Sequence, residues 1–270
     1  MNENLNLKKI KQFSFNNIFF LLIIFSIGLV IRLYYLPLDI PIVLDGEFYF
    51  WYANDMSILG EIPTEYSARN NFWSTILSVF FTINPSNEIL DYMNLQRILS
   101  VVISTSTIFP IFFLCRQFFS NNYAIIGASF FIFDPRIIIN SLLGITEPIY
   151  FLIGILIILF SLPKNEKLQY LSFGLAAIFS LIRYEGLLIL IPLTITYFWK
   201  FRINKKSVLK YGLCMLTFII IILPMVEGRI QATGEDGVTS HIFAGGKYVS
   251  NTLSDSFEKQ DKTQFLEDGV

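Results

Sequence analysis

The chain has 270 residues, of which 54% are hydrophobic and 15% charged, with a formal net charge of −1 and a mean hydropathy of +0.58. That balance is far too apolar for an ordinary soluble domain, so the sequence reads as an all-α, polytopic membrane protein with no nucleic-acid partner, a soluble helical bundle being the alternative. The single histidine, His241, cannot supply a His-based zinc site or a Ser-His-Asp triad elsewhere, and Cys115 and Cys214 lie in apolar runs without CxxC spacing.

The basic N-terminus, residues 1–16, precedes a first apolar run at about 17–36, which reads as a retained anchor because no small-residue cleavage pattern follows it. Further apolar runs fall at about 94–115, 123–145, 148–163, 168–183, 186–199 and 208–226, giving seven expected spans. The run "FWSTILSVFFTI" at 72–83 has 12 residues, which suits an external helix lying on the membrane rather than a crossing. With that assignment Lys8, Lys9, Lys11, Arg116, Lys164, Lys167 and the Lys200–Lys210 cluster all fall on the cytoplasmic side. The transmembrane module is then 17–226, with an external loop at 37–93 and an external polar tail at 227–270. That tail has too few apolar residues to build a core, and the chain reads as a fragment of a longer protein. No phosphate-binding G-x-x-x-x-G-K-[ST] loop occurs.

Acidic residues gather after the first span in "IVLDGEFYFWYANDMSILGEIP". From Glu47 the spacing predicts an amphipathic interfacial helix, with Phe48, Trp51, Tyr52, Met56 and Leu59 on one side and Glu47, Asn54, Ser57 and Glu61 on the other. Asp45 stands at its start, where it serves equally as a helix cap or as a corner of a site. Glu147, between Thr146 and Pro148, marks a second external turn and has the same two readings. Between them, "FDPRII" places Asp134 and Arg136 inside a span, either as a packing ion pair or lining a wet cavity, with Pro135 as a break. "LIRYEGLLIL" puts Arg183 and Glu185 at the external end of another span. There Arg183 either snorkels with an acidic partner or offers a planar fork to a phosphate oxygen. Arg69 and Arg97 are further external cations. Carboxylates from two loops and an arginine on one face suit transfer chemistry on a lipid phosphate.

The order of a first span, "LDGEFYFWYANDMSILGEIP", a short external helix and further spans resembles the polyprenyl-phosphate-dependent membrane glycosyltransferases of the GT-C fold. These include protein O-mannosyltransferases, lipid A aminoarabinose transferases and oligosaccharyltransferase catalytic subunits. Asp45, Glu47, Tyr49 and Gly60 match the acid, Tyr and Gly of the family's first loop. Pro135, Ser141, Gly144 and Glu147 resemble the run that ends in the oligosaccharyltransferase-type second acidic motif. Asn140 and Ile149 replace that run's Arg and second acid, and "SARNNFWSTIL" stands where mannosyltransferases carry His-Pro-Pro.

Over roughly 15–226, the resemblance implies a polyprenyl-phosphate sugar donor bound from the non-cytoplasmic side and a protein or lipid acceptor. Asp45 becomes the base, with Asp45 and Glu147 as ligands for a divalent metal (Mg or Mn), and Glu47 joins them in the catalytic set. Arg183, Glu185, Arg136 and Tyr49 become substrate-binding residues. A membrane transporter or lipid flippase, for which the Asp134-Pro135-Arg136 element speaks, and an inactive truncated subunit are the alternatives.

Overall fold

The structure is a computed structural model that describes residues 15–66 and 71–237. Among these, every regular element is helical. In chain order they are α1 (Phe15–Tyr34), α2 (Asp45–Leu59), α3 (Phe72–Ile83), α4 (Ile89–Ser106), α5 (Ile108–Cys115), α6 (Asn121–Phe133), α7 (Pro135–Leu142), α8 (Glu147–Ser161), α9 (Glu166–Ile182), a 3-10 turn (Tyr184–Ile189), α10 (Leu190–Phe201) and α11 (Lys205–Thr233). Lys8, Lys9, Lys11, Arg69, His241 and the tail after Gly237 lie outside the described residues.

Among the described residues seven spans are not found. Three stretches are long and apolar enough to cross a bilayer, Asn17–Tyr34, Ile89–Cys115 and Lys205–Thr233, and a fourth results if α6 and α7, bent by 50° at their junction, count as one. The remaining apolar runs form shorter helices. α8 has 15 residues and α10 has 12, reaching about 22 Å and about 18 Å against a ~30 Å hydrocarbon core. Hydropathy alone could not locate the breaks. The run at 186–199 begins in a 3-10 turn, where Gly186 presses on the last turn of α9 so closely that a Cβ would stand 2.5 Å from the Phe179 carbonyl oxygen. The helix lengths therefore support a membrane protein, and they leave the alternation of sides unfixed.

The junction between α6 and α7 has a local cause. Pro135 has no N–H to continue α6, and the Asp134 carboxylate accepts from the backbone N–H groups of Arg136 (2.9 Å) and Ile137 (3.1 Å), starting α7 afresh. The Asp134 side chain is thus a helix cap and makes no ion pair with the Arg136 guanidinium. Both are exposed, and Arg136 makes no ion pair among the described residues.

α2 differs from expectation in the face it buries. It spans Asp45–Leu59 and closes at Gly60 in the left-handed conformation (φ 73°), close to the predicted bounds. Its covered residues, however, are Gly46, Phe50, Tyr52 and Ala53, while Trp51 and Leu59 are exposed. The spacing 46, 50, 53 gives α2 a third face, which packs into the core. α3 supplies the opposing stripe, Trp73, Leu77 and Phe81, and with Phe50, Ile149 and Ile182 these form one core cluster. A second core joins α8 to α11 through Ile157, Phe173, Tyr197 and Phe218. A third joins α1, α5 and α6 through Leu21, Phe112 and Ile132.

Candidate functional site

The first acidic loop is held by two adjacent residues of α4. Arg97, 4% exposed, donates from Nη1 to the carbonyls of Pro37 (2.8 Å) and Ile40 (2.6 Å), and from Nη2 to Pro41 (3.1 Å). It fixes the segment that leads into α2 and makes no ion pair among the described residues, so its role differs from the external cation expected of it. Gln96, fully buried, donates from Nε2 to the carbonyls of Gly46 (2.9 Å) and Gly144 (2.7 Å).

That bridge ties the first turn of α2 to the turn before Glu147. Trp73 Nε1 adds a second donor to the Gly144 carbonyl at 3.1 Å. The approach is tight enough to require glycine at both points. A Cβ on Gly46 would stand 2.4 Å from the Leu143 carbonyl oxygen, and Gly144 has φ 69° with Gln96 and Ile42 against it. Asp45 and Glu47 flank Gly46 on the exposed side of α2, so the first acidic loop abuts the second. Leu44, at φ 59°, occupies the cap position of α2, and Asp45 is its first helical residue, where the free amides favour a carboxylate. Glu47 Oε1 accepts a long bond from Trp51 Nε1 at 3.4 Å.

Beyond the Gly144 turn, Glu147 opens α8 with Pro148 behind it. Its Oε1 lies 3.1 Å from Nη1 of Arg183, which follows α9, and Arg183 Nη2 lies 3.4 Å from Glu185 Oε1 on the 3-10 turn. Arg183 also stands over the Tyr150 ring at 5.8 Å, and that ring stacks on Phe179 at 3.9 Å. Burial works against the charge on Arg183. Glu185, Glu147 and Tyr49 outweigh it and push the guanidinium above its ordinary pKa, so it stays a cation. Tyr49 is held from α3, where Ser74 Oγ donates to its carbonyl at 3.1 Å.

The structure therefore gathers Glu147, Arg183, Glu185 and Tyr49, with Asp45 and Glu47 at the adjoining helix start. It does not gather Arg136, which α7 separates from the Gly144 turn by eight residues, about 12 Å. A protein-built metal centre fits poorly. Glu147 already serves Arg183, and among the described residues no three His, Cys, Asp or Glu side chains converge. Sequence reasoning missed Gln96 and Trp73, because neither is charged and their partners are carbonyls distant in the chain.

Fold and site together define an all-α protein with three to four candidate membrane-spanning helices and an acid-and-arginine cluster at one junction of its helices. No family model matches the chain, and no curated protein or solved structure matches it.

Proposed function

We propose that the chain is a membrane glycosyltransferase of GT-C type that moves a sugar from a polyprenyl-phosphate donor to a protein or lipid acceptor on the non-cytoplasmic face. The observation that carries this reading is the junction at Gly46 and Gly144, which sets the Asp45 loop against the Glu147–Arg183–Glu185 cluster.

In the proposed reaction the acceptor hydroxyl attacks the anomeric carbon in a single displacement. Its oxygen forms the new bond as the bond from that carbon to the phosphate oxygen breaks, and polyprenyl phosphate leaves with the bonding pair. Asp45 takes the hydroxyl proton. Arg183 meets the charge that grows on the departing phosphate, since a phosphate can replace a half-exposed carboxylate in its planar fork. Glu147 and Glu185 hold that fork in place before donor binds, Tyr49 borders it, and Glu47 lies beside the base.

Transfer is measured with radiolabelled polyprenyl-phosphate sugar in membranes containing the full chain. Label should move to a protein or lipid fraction with release of polyprenyl phosphate. Donor that crosses the bilayer without any cleavage would refute the transferase reading and favour the flippase alternative.

A further inference from the structure

The other end of α8 carries a different chemistry. The α8–α9 turn and the α10–α11 turn meet there. Lys200 Nζ donates to the Ser161 carbonyl, Lys210 pairs with Glu166, and Tyr197 Oη donates to the Ser207 carbonyl at 3.1 Å. Residues 164–167 and 199–210 together hold seven Lys and Arg against one acid, Glu166, and that acid is already engaged by Lys210. Lys164 and Lys167 on one turn, and Arg202, Lys205 and Lys206 on the other, are exposed and have no carboxylate partner among the described residues.

Large apolar side chains stand among these cations. Trp199 is 84% exposed and Ile203 is 81% exposed. A soluble charged patch does not place such residues in water, whereas a Trp flanked by Lys and Arg suits the boundary between headgroups and acyl chains. The apolar layer is adjacent: α11, a candidate span, begins at Lys205 and shows Leu209, Leu213, Leu216 and Ile220 outward. The turn itself is fixed. Asn204 and Ser207 form a reciprocal cap at the start of α11, and Arg202 is held at φ 55° with its carbonyl accepting from Ser207 Oγ.

We propose that these two turns form a binding surface for anionic phospholipid headgroups, with the five exposed cations on the phosphates and Trp199 and Ile203 seated at the acyl boundary. A soluble polyanion would satisfy the charge, yet it would leave Trp199, Ile203 and the outward face of α11 in water. The inference does not rest on the glycosyltransferase reading, and it assigns the basic end to the leaflet richer in anionic lipid.

The test is native mass spectrometry of the full chain in detergent, offered equal amounts of phosphatidylglycerol and phosphatidylcholine. The wild type should retain phosphatidylglycerol selectively. Combining Lys164→Gln, Lys167→Gln, Arg202→Gln, Lys205→Gln and Lys206→Gln should lower that retention by more than about tenfold. Equal retention of the two lipids by the wild type, or unchanged selectivity in a folded variant, overturns the proposal. Should the combined variant lose its helix content, the wild type decides. Retention of phosphatidylglycerol must fall with added salt. In vesicles, brominated phosphatidylglycerol must also quench the part of the fluorescence removed by Trp199→Phe more strongly than brominated phosphatidylcholine does. Failure of either, or release of bound phosphatidylglycerol by a soluble oligonucleotide, refutes the lipid surface.

Discussion

Arginine is held in two ways in this chain, and the contrast separates scaffold from site. In the interior, Arg32 is fully buried and donates to the carbonyls of Gly28 and Ile132, both at 3.0 Å, while Arg97 holds three loop carbonyls. Where the end of α9 meets the start of α8, Arg183 is 38% exposed and leans on two carboxylates. A carbonyl partner is part of the backbone and cannot leave, so Arg32 and Arg97 fix geometry. Ile132 lies in the last turn of α6, where the carbonyls have no following helix to serve, and Arg32 meets that need with a positive charge. A carboxylate partner on a flexible side chain can be exchanged for a phosphate, which is what the proposed chemistry asks of Arg183.

The contrast can be broken by substitution, and the largest effect belongs to the interior. Arg97→Ala leaves three carbonyls of the 37–41 segment without their donor and should cost about 3 kcal/mol or more, read as a drop in thermal stability in detergent. A change below about 1 kcal/mol would show that the segment is held elsewhere. Gly46→Ala drives a methyl onto the Leu143 carbonyl and Ile42, where backbone must move, and should cost about 1–3 kcal/mol. Trp73→Phe removes one of two donors to the Gly144 carbonyl, leaving Gln96 in place, and should cost about 1 kcal/mol.

Arg183→Gln should have the smallest effect on stability, within about 1 kcal/mol, because its pairs are partly exposed and screened. That variant should nevertheless lose transfer. A large loss of stability on Arg183→Gln would place this arginine with Arg32 and Arg97 and erase the distinction.

Much of the local framework was legible in the sequence. The bounds of α3 coincide with the 12-residue apolar run, Glu147 and Pro148 open α8, and Arg183 follows the end of α9. Such features depend on residue type and near neighbours. The span count failed because apolar composition does not reveal where a helix stops. Pro135 with its capping Asp134 divides the run 123–145, and the 3-10 turn around Gly186 shortens the helix expected over 186–199. The face of α2 that packs inward was not legible for a related reason, since a helix rich in aromatic residues on every side offers more than one face and only α3 selects among them. Gln96 and Arg97 were hidden more deeply, because which carbonyls approach α4 is a property of the folded chain alone.

In the proposed function Asp45 and Glu147 act in one site, joined through the backbone contacts of Gly46, Gln96 and Gly144. The most direct test compares sugar transfer from a radiolabelled polyprenyl-phosphate donor in membranes bearing the wild type, Asp45→Asn and Glu147→Gln at matched expression. Asp45→Asn should lower transfer by at least about a hundredfold through loss of the base, and Glu147→Gln by about tenfold through loss of the residue that positions Arg183. Full activity in both variants would contradict the proposed site.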